Sequence, residues 1–349
     1  MENANSKRIV YFDYLRMFAI LAVVLLHTAS QEWSGWDVRT PGWNACNVYD
    51  SMARWGVPVF VMISGALFLS RDPDEAKLWK RNIPRLAVAY IVWSAFYAVC
   101  KPIIGMAFGR GTAFSLGSVI RKIITGEFHL WFIPMMIGLY ICLPILHRIS
   151  TSRIAVKYFL ILALVFAFAL PELHNLVTDF CGSAIIQKAA DKMQIHLVLG
   201  FSSYFILGHV LHTCEITIKQ QRVIYLLGIV GFLFTVGVNA AAAFKANEPR
   251  ATYFDNFSVN VLCMSVAVFT WCKYHMKKPS VLVGRISSLS FGIYLSHVLI
   301  RDGLSFFGIN NRMFFPVLSV PLLTIIIILL AFSVAYIISK IPVLKKWII

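Results

Sequence analysis

The stretch FDYLRMFAILAVVLLHT (residues 12–28) decides the fold. It belongs to an apolar run, 9–30, of the length a helix needs to cross a bilayer, about 20 residues, and Asp13, Arg16 and His27 are the ionisable side chains within it. Lys7 and Arg8 before it and Thr28, Ala29 and Ser30 after it are the flanks of a cleavable secretory signal. The apolar centre of such a signal does not carry an Asp and an Arg. The segment therefore reads as an uncleaved first membrane helix.

Comparable runs recur along the chain. Marking them gives spans at 9–30, 53–70, 84–106, 128–147, 154–171, 194–213, 223–244, 255–272, 286–307 and 314–338. Hydrophobic residues make up 59% of the sequence and charged residues 14%, against about 25% charged in soluble domains, so a soluble fold is excluded. The expected fold class is all-α, a polytopic membrane protein of about ten transmembrane helices. No polar block is long enough to fold separately, so residues 1–349 are expected to form a single transmembrane domain with no soluble extension. Spans 53–70, 194–213 and 286–307 hold more polar and small residues than a lipid-facing helix carries, and are expected to line the interior.

The net charge of +16 comes from Lys and Arg dispersed among short loops rather than gathered in one basic module, which points to membrane topology and not to nucleic acid. The loops on the side of the termini, including Arg71, Lys77, Lys80 and Arg81, carry more Lys and Arg than the opposite loops, even with Lys101, Arg110, Arg121 and Lys122 counted. The loop-charge rule then places both termini in the cytoplasm. The seven cysteines show no C-x-x-C and no zinc spacing, so neither a disulfide framework nor a metal site is expected.

Ionisable side chains within a membrane helix need a partner, a cavity or a task. Arg16 and His27 are eleven residues apart, about three helical turns, and so share one face with a rise of about 16.5 Å. Asp13 lies on the adjacent part of that face. Arg16 could pair with Asp13 or reach towards the headgroups, and His27 could simply be interfacial. Ser64 and Gly65 indicate a close helix approach. Tyr294 and His297 lie one turn apart.

The R-x10-H arrangement of Arg16 and His27, followed in order by PVFVMISGALFLSR (58–71), KRNIPRL (80–86), HLWFIPMMIGLYICLPIL (129–146) and SLSFGIYLSHVLI (288–300), resembles the membrane-bound acyltransferase-3 family, which includes bacterial O-acetyltransferases of surface polysaccharides. The resemblance runs from about residue 8 to 345. It implies a ten-helix core in the bacterial cytoplasmic (inner) membrane. Such a core takes an acyl group, acetyl above all, from cytoplasmic acyl-CoA and delivers it to a hydroxyl of a cell-envelope glycan or lipid-linked sugar. A homo-oligomer is compatible with it, and no metal is called for.

On that resemblance His27 is the general base, because imidazole titrates near neutral pH, or else forms a covalent acyl-histidine. Asp13 and Arg16 support the catalytic face. Arg16, Arg71, Arg81 and Arg85 are the candidates for the CoA phosphates. The family commonly shows R-x-x-R where Arg81 and Arg85 here stand four apart, and Pro84 suggests a helix beginning near Asn82 whose amino-terminal field adds to their charge. Ser64, Glu127, His129, Trp131, Tyr294 and His297 are candidates for touching substrate. The competing reading is a transporter or exporter of a small metabolite or glycan, and a third is a purely structural membrane protein.

Overall fold

The computed structural model describes residues 8–107, 115–181 and 196–348, which are helical throughout their ordered elements and contain no strand. In chain order the helices are α1 (Val10–Ala29), α2 (Pro41–Ala53), α3 (Gly56–Phe68), α4 (Ile83–Ala107), α5 (Leu116–Thr125), α6 (Phe132–Ile141), α7 (Leu143–Ser150) and α8 (Arg153–Leu162). They continue as α9 (Leu170–Cys181), α10 (His196–Thr213), α11 (Ile218–Ala246), α12 (Val259–His275), α13 (Val281–Phe306), α14 (Pro316–Ser339) and α15 (Pro342–Trp347). Nine helical stretches among the described residues are long and apolar enough to cross a membrane. Helix α10 occupies the remaining expected position, 194–213, whose first two residues lie outside the described ones. The chain is an all-α polytopic membrane protein.

Outward faces carry the lipid-compatible surface: Ile154, Ile161 and Leu164, Leu226 and Leu233 on α11, and Leu318, Ile325 and Leu329 on α14 are all exposed and apolar. Helix α1 sits at the centre, packed against α13, α3, α2, α14 and α12. Leu15, Ala19, Ile20 and Val24 are fully buried along its length. The expected interior spans are interior: α3, α10 and α13 hold such buried residues as Met62, Tyr204, Phe205 and Ile293. Helices α3 and α10 meet through glycines on both sides. A Cβ on Gly65 would overlap the Phe205 backbone carbonyl, and one on Gly208 would overlap that of Met62, so the two backbones touch as only small residues permit.

Several segments depart from the hydropathy reading. Span 53–70 begins earlier, because α2 and α3 form one stretch from Pro41 to Phe68. Thr40 starts it, accepting a hydrogen bond from the Trp43 amide, with Pro41 in the first turn. Polar residues of α2 hid it from a hydropathy window, yet they find partners inside. Asn47 donates to the Val236 carbonyl at 3.0 Å and accepts from Asn239 at 3.0 Å, while Arg54 pairs with Asp50 at 2.5 Å. Span 128–147 is broken into a 3₁₀ turn, Phe128–Trp131, then α6 and α7, with the break at Cys142 ahead of Pro144. The loop expected between spans 84–106 and 128–147 contains α5.

The helix expected to begin near Asn82 does not begin there. The chain is already helical at Glu75–Lys77, where the Asp74 carboxylate accepts from the Lys77 amide at 2.9 Å, and it passes into α4 through a π turn, Leu78–Asn82. Pro84 has no N–H to give the preceding turn, and a widened turn is one way a helix accommodates such a residue. Arg81 and Arg85 therefore lie inside a continuing helical stretch and not at its amino terminus.

Candidate functional site

Three histidines from three distant segments converge. α1 supplies His27, the 3₁₀ turn supplies His129 and α13 supplies His297. Their ring centroids are 5.2 Å apart for His27 and His297, 5.3 Å for His129 and His297, and 6.5 Å for His27 and His129. His129 and His297 are buried. Among the described residues no cluster of His, Cys, Asp and Glu has the geometry to hold a metal ion.

Each ring is set by its backbone surroundings. Gly126 ends α5 with a φ of +71°, and the Tyr90 hydroxyl occupies the place a Cβ would take there while donating to the Ile124 carbonyl at 2.9 Å. That turn presents Glu127, Phe128 and His129 to the bundle. The Tyr294 hydroxyl donates to the His129 carbonyl at 2.5 Å. His297 Nδ1 lies 2.6 Å from the Tyr294 carbonyl; since a carbonyl only accepts, Nδ1 carries a hydrogen, and in the neutral ring Nε2 then keeps a lone pair. Among the described residues, that Nε2 and both ring nitrogens of His129 are buried with no partner at full hydrogen-bond geometry. Tyr97 holds α4 to the same place, donating to the Leu295 carbonyl at 2.9 Å and accepting from the Leu299 amide at 3.0 Å.

An ionic frame encloses the His27 end of α1. Lys101 bridges Glu127 at 2.8 Å and Asp302 at 2.7 Å. Arg301 forks onto the other Asp302 oxygen at 2.9 and 2.6 Å, donates to the His27 carbonyl at 3.2 Å, and lies 5.5 Å over the Phe128 ring. Asn311, fully buried, reaches the carbonyls of Thr28 and Ala29 at 3.3 Å and that of Gln31. Carbonyls at the carboxyl end of α1 are thus met by side chains, one of them cationic, as the helix dipole favours. Sequence reading passed over Lys101, Arg301 and Asp302. The available signal was Arg301 one helical turn beyond His297.

At the other end of α1, Arg16 stands 3.8 Å from Asp13. Asp13 is more closely engaged elsewhere, accepting from Arg8 at 2.5 Å and from the Ser287 hydroxyl at 2.7 Å. Arg16 instead lines a cavity of about 170 Å³ with Ser64, Phe132, Ser290 and Tyr294 among its walls. Arg16 and Arg85 both lie near Tyr140. Ser64 donates to the Phe60 carbonyl at 3.0 Å, within its own helix. Tyr294 joins the two halves: it lines the Arg16 cavity and packs 5.7 Å from the His129 ring.

Other expected residues fall elsewhere. Arg71 is exposed at the end of α3, donating to the Leu67 carbonyl at 3.1 Å. Arg81 is exposed on the π turn. Trp131 packs its ring on Phe201 at 5.5 Å and does not join the histidines. Glu127 belongs to the ionic frame through Lys101.

A family model described as an acyltransferase domain matches residues 9–340. No curated protein and no solved structure matches the chain.

Proposed function

Since the chain belongs to the acyltransferase-3 family, we propose that it is an integral membrane O-acyltransferase that moves an acyl group, acetyl above all, from acyl-CoA to a hydroxyl of a cell-envelope glycan or lipid-linked sugar. The observation that carries this reading is the two-ended polar face of α1. Arg16 lines a cavity at one end, His27 enters the histidine cluster about 16.5 Å along, and Tyr294 touches both regions. That rise is comparable to an extended pantetheine arm.

In this reading the Arg16 end faces the cytoplasm of a bacterial cell, where acyl-CoA is made, and the membrane is the cytoplasmic one. Arg16 and Arg85 hold the phosphates of CoA, Arg71 and Arg81 add positive charge at the surface, and Asp13 fixes the base of Arg16's helix through Arg8 and Ser287. The thioester extends past Ser64 and Tyr294 to His27. The His27 imidazole takes the proton of the acceptor hydroxyl as that oxygen attacks the thioester carbon. The carbon–sulfur bond then breaks, and the imidazolium returns its proton to the departing thiolate. The products are the O-acyl ester and free CoA. His129 and His297 shape the pocket around that imidazole.

Purified protein supplied with radiolabelled acetyl-CoA and lipid-linked or short glycan acceptors should release CoA and label the acceptor in equal amounts. Absence of both, in protein that is monodisperse in detergent, would overturn the reading.

A further inference from the structure

Beside the histidine cluster, a cleft of about 450 Å³ lies over the carboxyl end of α1, lined by Gln31, Glu32, Lys101, Arg301, Asp302 and Phe306 among others. Its size is that of a small-molecule site. It connects to His27 through Arg301, which on its wall donates to the His27 carbonyl and overlies Phe128, whose ring is 5.5 Å from that of His27.

Two features of the wall point to a ligand class. The first is charge. Two cations, Lys101 and Arg301, face two carboxylates, Glu32 and Asp302, so the formal charges cancel. Asp302 is already held by both cations, and Lys101 also holds Glu127. A second negative group entering the cleft would compete with ion pairs already made. Neutral hydroxyls, which both donate and accept, can join these groups without breaking them. The second feature is Gln31, 8% exposed, whose side-chain carbonyl oxygen is buried with no hydrogen-bond partner among the described residues. An amide carbonyl left in that state is costly, and an incoming hydroxyl would satisfy it. Phe306 gives the cleft an apolar wall against which the C–H face of a ring can lie.

We infer that this cleft is the acceptor site, and that it selects a neutral, hydroxyl-rich sugar ring over an anionic one. The inference rests on the acyl-transfer reading and adds to it where the acceptor sits and which charge class it has. A ring seated here presents a hydroxyl to His27 from the side opposite the Arg16 cavity, so donor and acceptor enter from different ends.

The test uses the full chain in detergent with a panel of methyl hexosides and N-acetylhexosaminides, each matched to its C6-carboxylate counterpart. Acetyl transfer from labelled acetyl-CoA is followed in parallel with saturation-transfer NMR of binding. Neutral members should be acetylated, or bound, in preference to their carboxylates. Gln31→Ala should raise the acceptor KM about fivefold, the worth of one neutral hydrogen bond, with the acyl-CoA KM unchanged. Ser305 also lines the cleft, so Ser305→Trp, which fills it, should abolish acceptor binding while leaving acyl-CoA affinity intact, and it serves if the Gln31 variant does not fold. Preference for the carboxylates, an unchanged acceptor KM in both variants, or no binding by any member of the panel would overturn the inference. Binding of neutral members that is lost in the variants, without any transfer, would instead leave the cleft standing and overturn the acyl-transfer reading.

Discussion

Arg301 donates to the backbone carbonyl of His27 at 3.2 Å, which fastens the last third of α13 to the final turn of α1. The same guanidinium forks onto Asp302 and covers Phe128. One side chain therefore sets the height of the His27 backbone and the wall against which the His27 ring rests. Its charge also complements the carbonyl end of the α1 dipole.

On the acyl-transfer reading, Arg301 is a positioning residue for His27. Arg301→Ala should lower kcat by about tenfold or more, the worth of a lost charge-assisted hydrogen bond, while leaving the acyl-CoA KM near its wild-type value. Arg301→Lys keeps the charge but not the fork, and should recover part of that loss. Steady-state kinetics with both substrates varied separates this outcome from simple unfolding. Equal loss in the Ala and Lys variants, accompanied by lower thermal stability in both, would mean a merely structural role.

For His27 the expected loss is larger. His27→Ala removes the proposed base and should lower kcat by about 10²–10⁴-fold, with the protein still monodisperse and still binding acyl-CoA. Stopped-flow release of CoA without acceptor distinguishes a base from a covalent relay: a burst stoichiometric with enzyme would require an acyl-histidine. Turnover undiminished in His27→Ala would remove the residue from the mechanism.

Arg16 should respond to donor rather than acceptor. Arg16→Ala should raise the acyl-CoA KM by about ten- to a hundredfold, the range of a charged hydrogen bond, and leave the acceptor KM little changed. Added salt should raise the wild-type acyl-CoA KM, since phosphates at a partly exposed cation are screened, and should raise it less in the variant. A shift confined to acceptor KM would place the donor elsewhere.

What could be read in the sequence and what could not divide along a physical line. The shared face of Arg16 and His27 follows from helical periodicity alone, and in the structure Arg16 lines a cavity while His27 stands among the histidines towards the other end of α1. The close contact announced by Ser64 and Gly65 is real for Gly65, whose Cα faces the Phe205 backbone. Asn47 and Asp50 made α2 look like a loop, because a hydropathy window counts a polar side chain as a cost and cannot see Asn239 or Arg54 meeting it. The Lys101–Glu127–Asp302–Arg301 frame joins three segments. No local pattern encodes that pairing, so the charges resembled ordinary loop and helix-end residues. The π turn before Pro84 likewise displaced the helix start expected at Asn82.

The α3–α10 crossing offers a test of the packing that carries the Ser64 wall of the Arg16 cavity. Gly65→Ala and Gly208→Ala each place a methyl against a backbone carbonyl of the facing helix. Neither Phe205 nor Met62 can relieve this by changing rotamer, so the helices must part, and each substitution should destabilise by about 1–3 kcal/mol. Gly237 on α11 has nothing within 4 Å of where its Cβ would lie. Gly237→Ala should therefore be neutral, or stabilising by about 0.5–1 kcal/mol through helix propensity. Because Gly65 and Gly208 guard the same approach, the separation forced by the first methyl makes room for the second. The double variant should accordingly lose less stability than the sum of the two single losses. Thermal or denaturant unfolding in one detergent, read by intrinsic Trp fluorescence, measures all four proteins. Strict additivity, or a Gly237→Ala variant as damaged as the other two, would show that the crossing is not held by backbone contact.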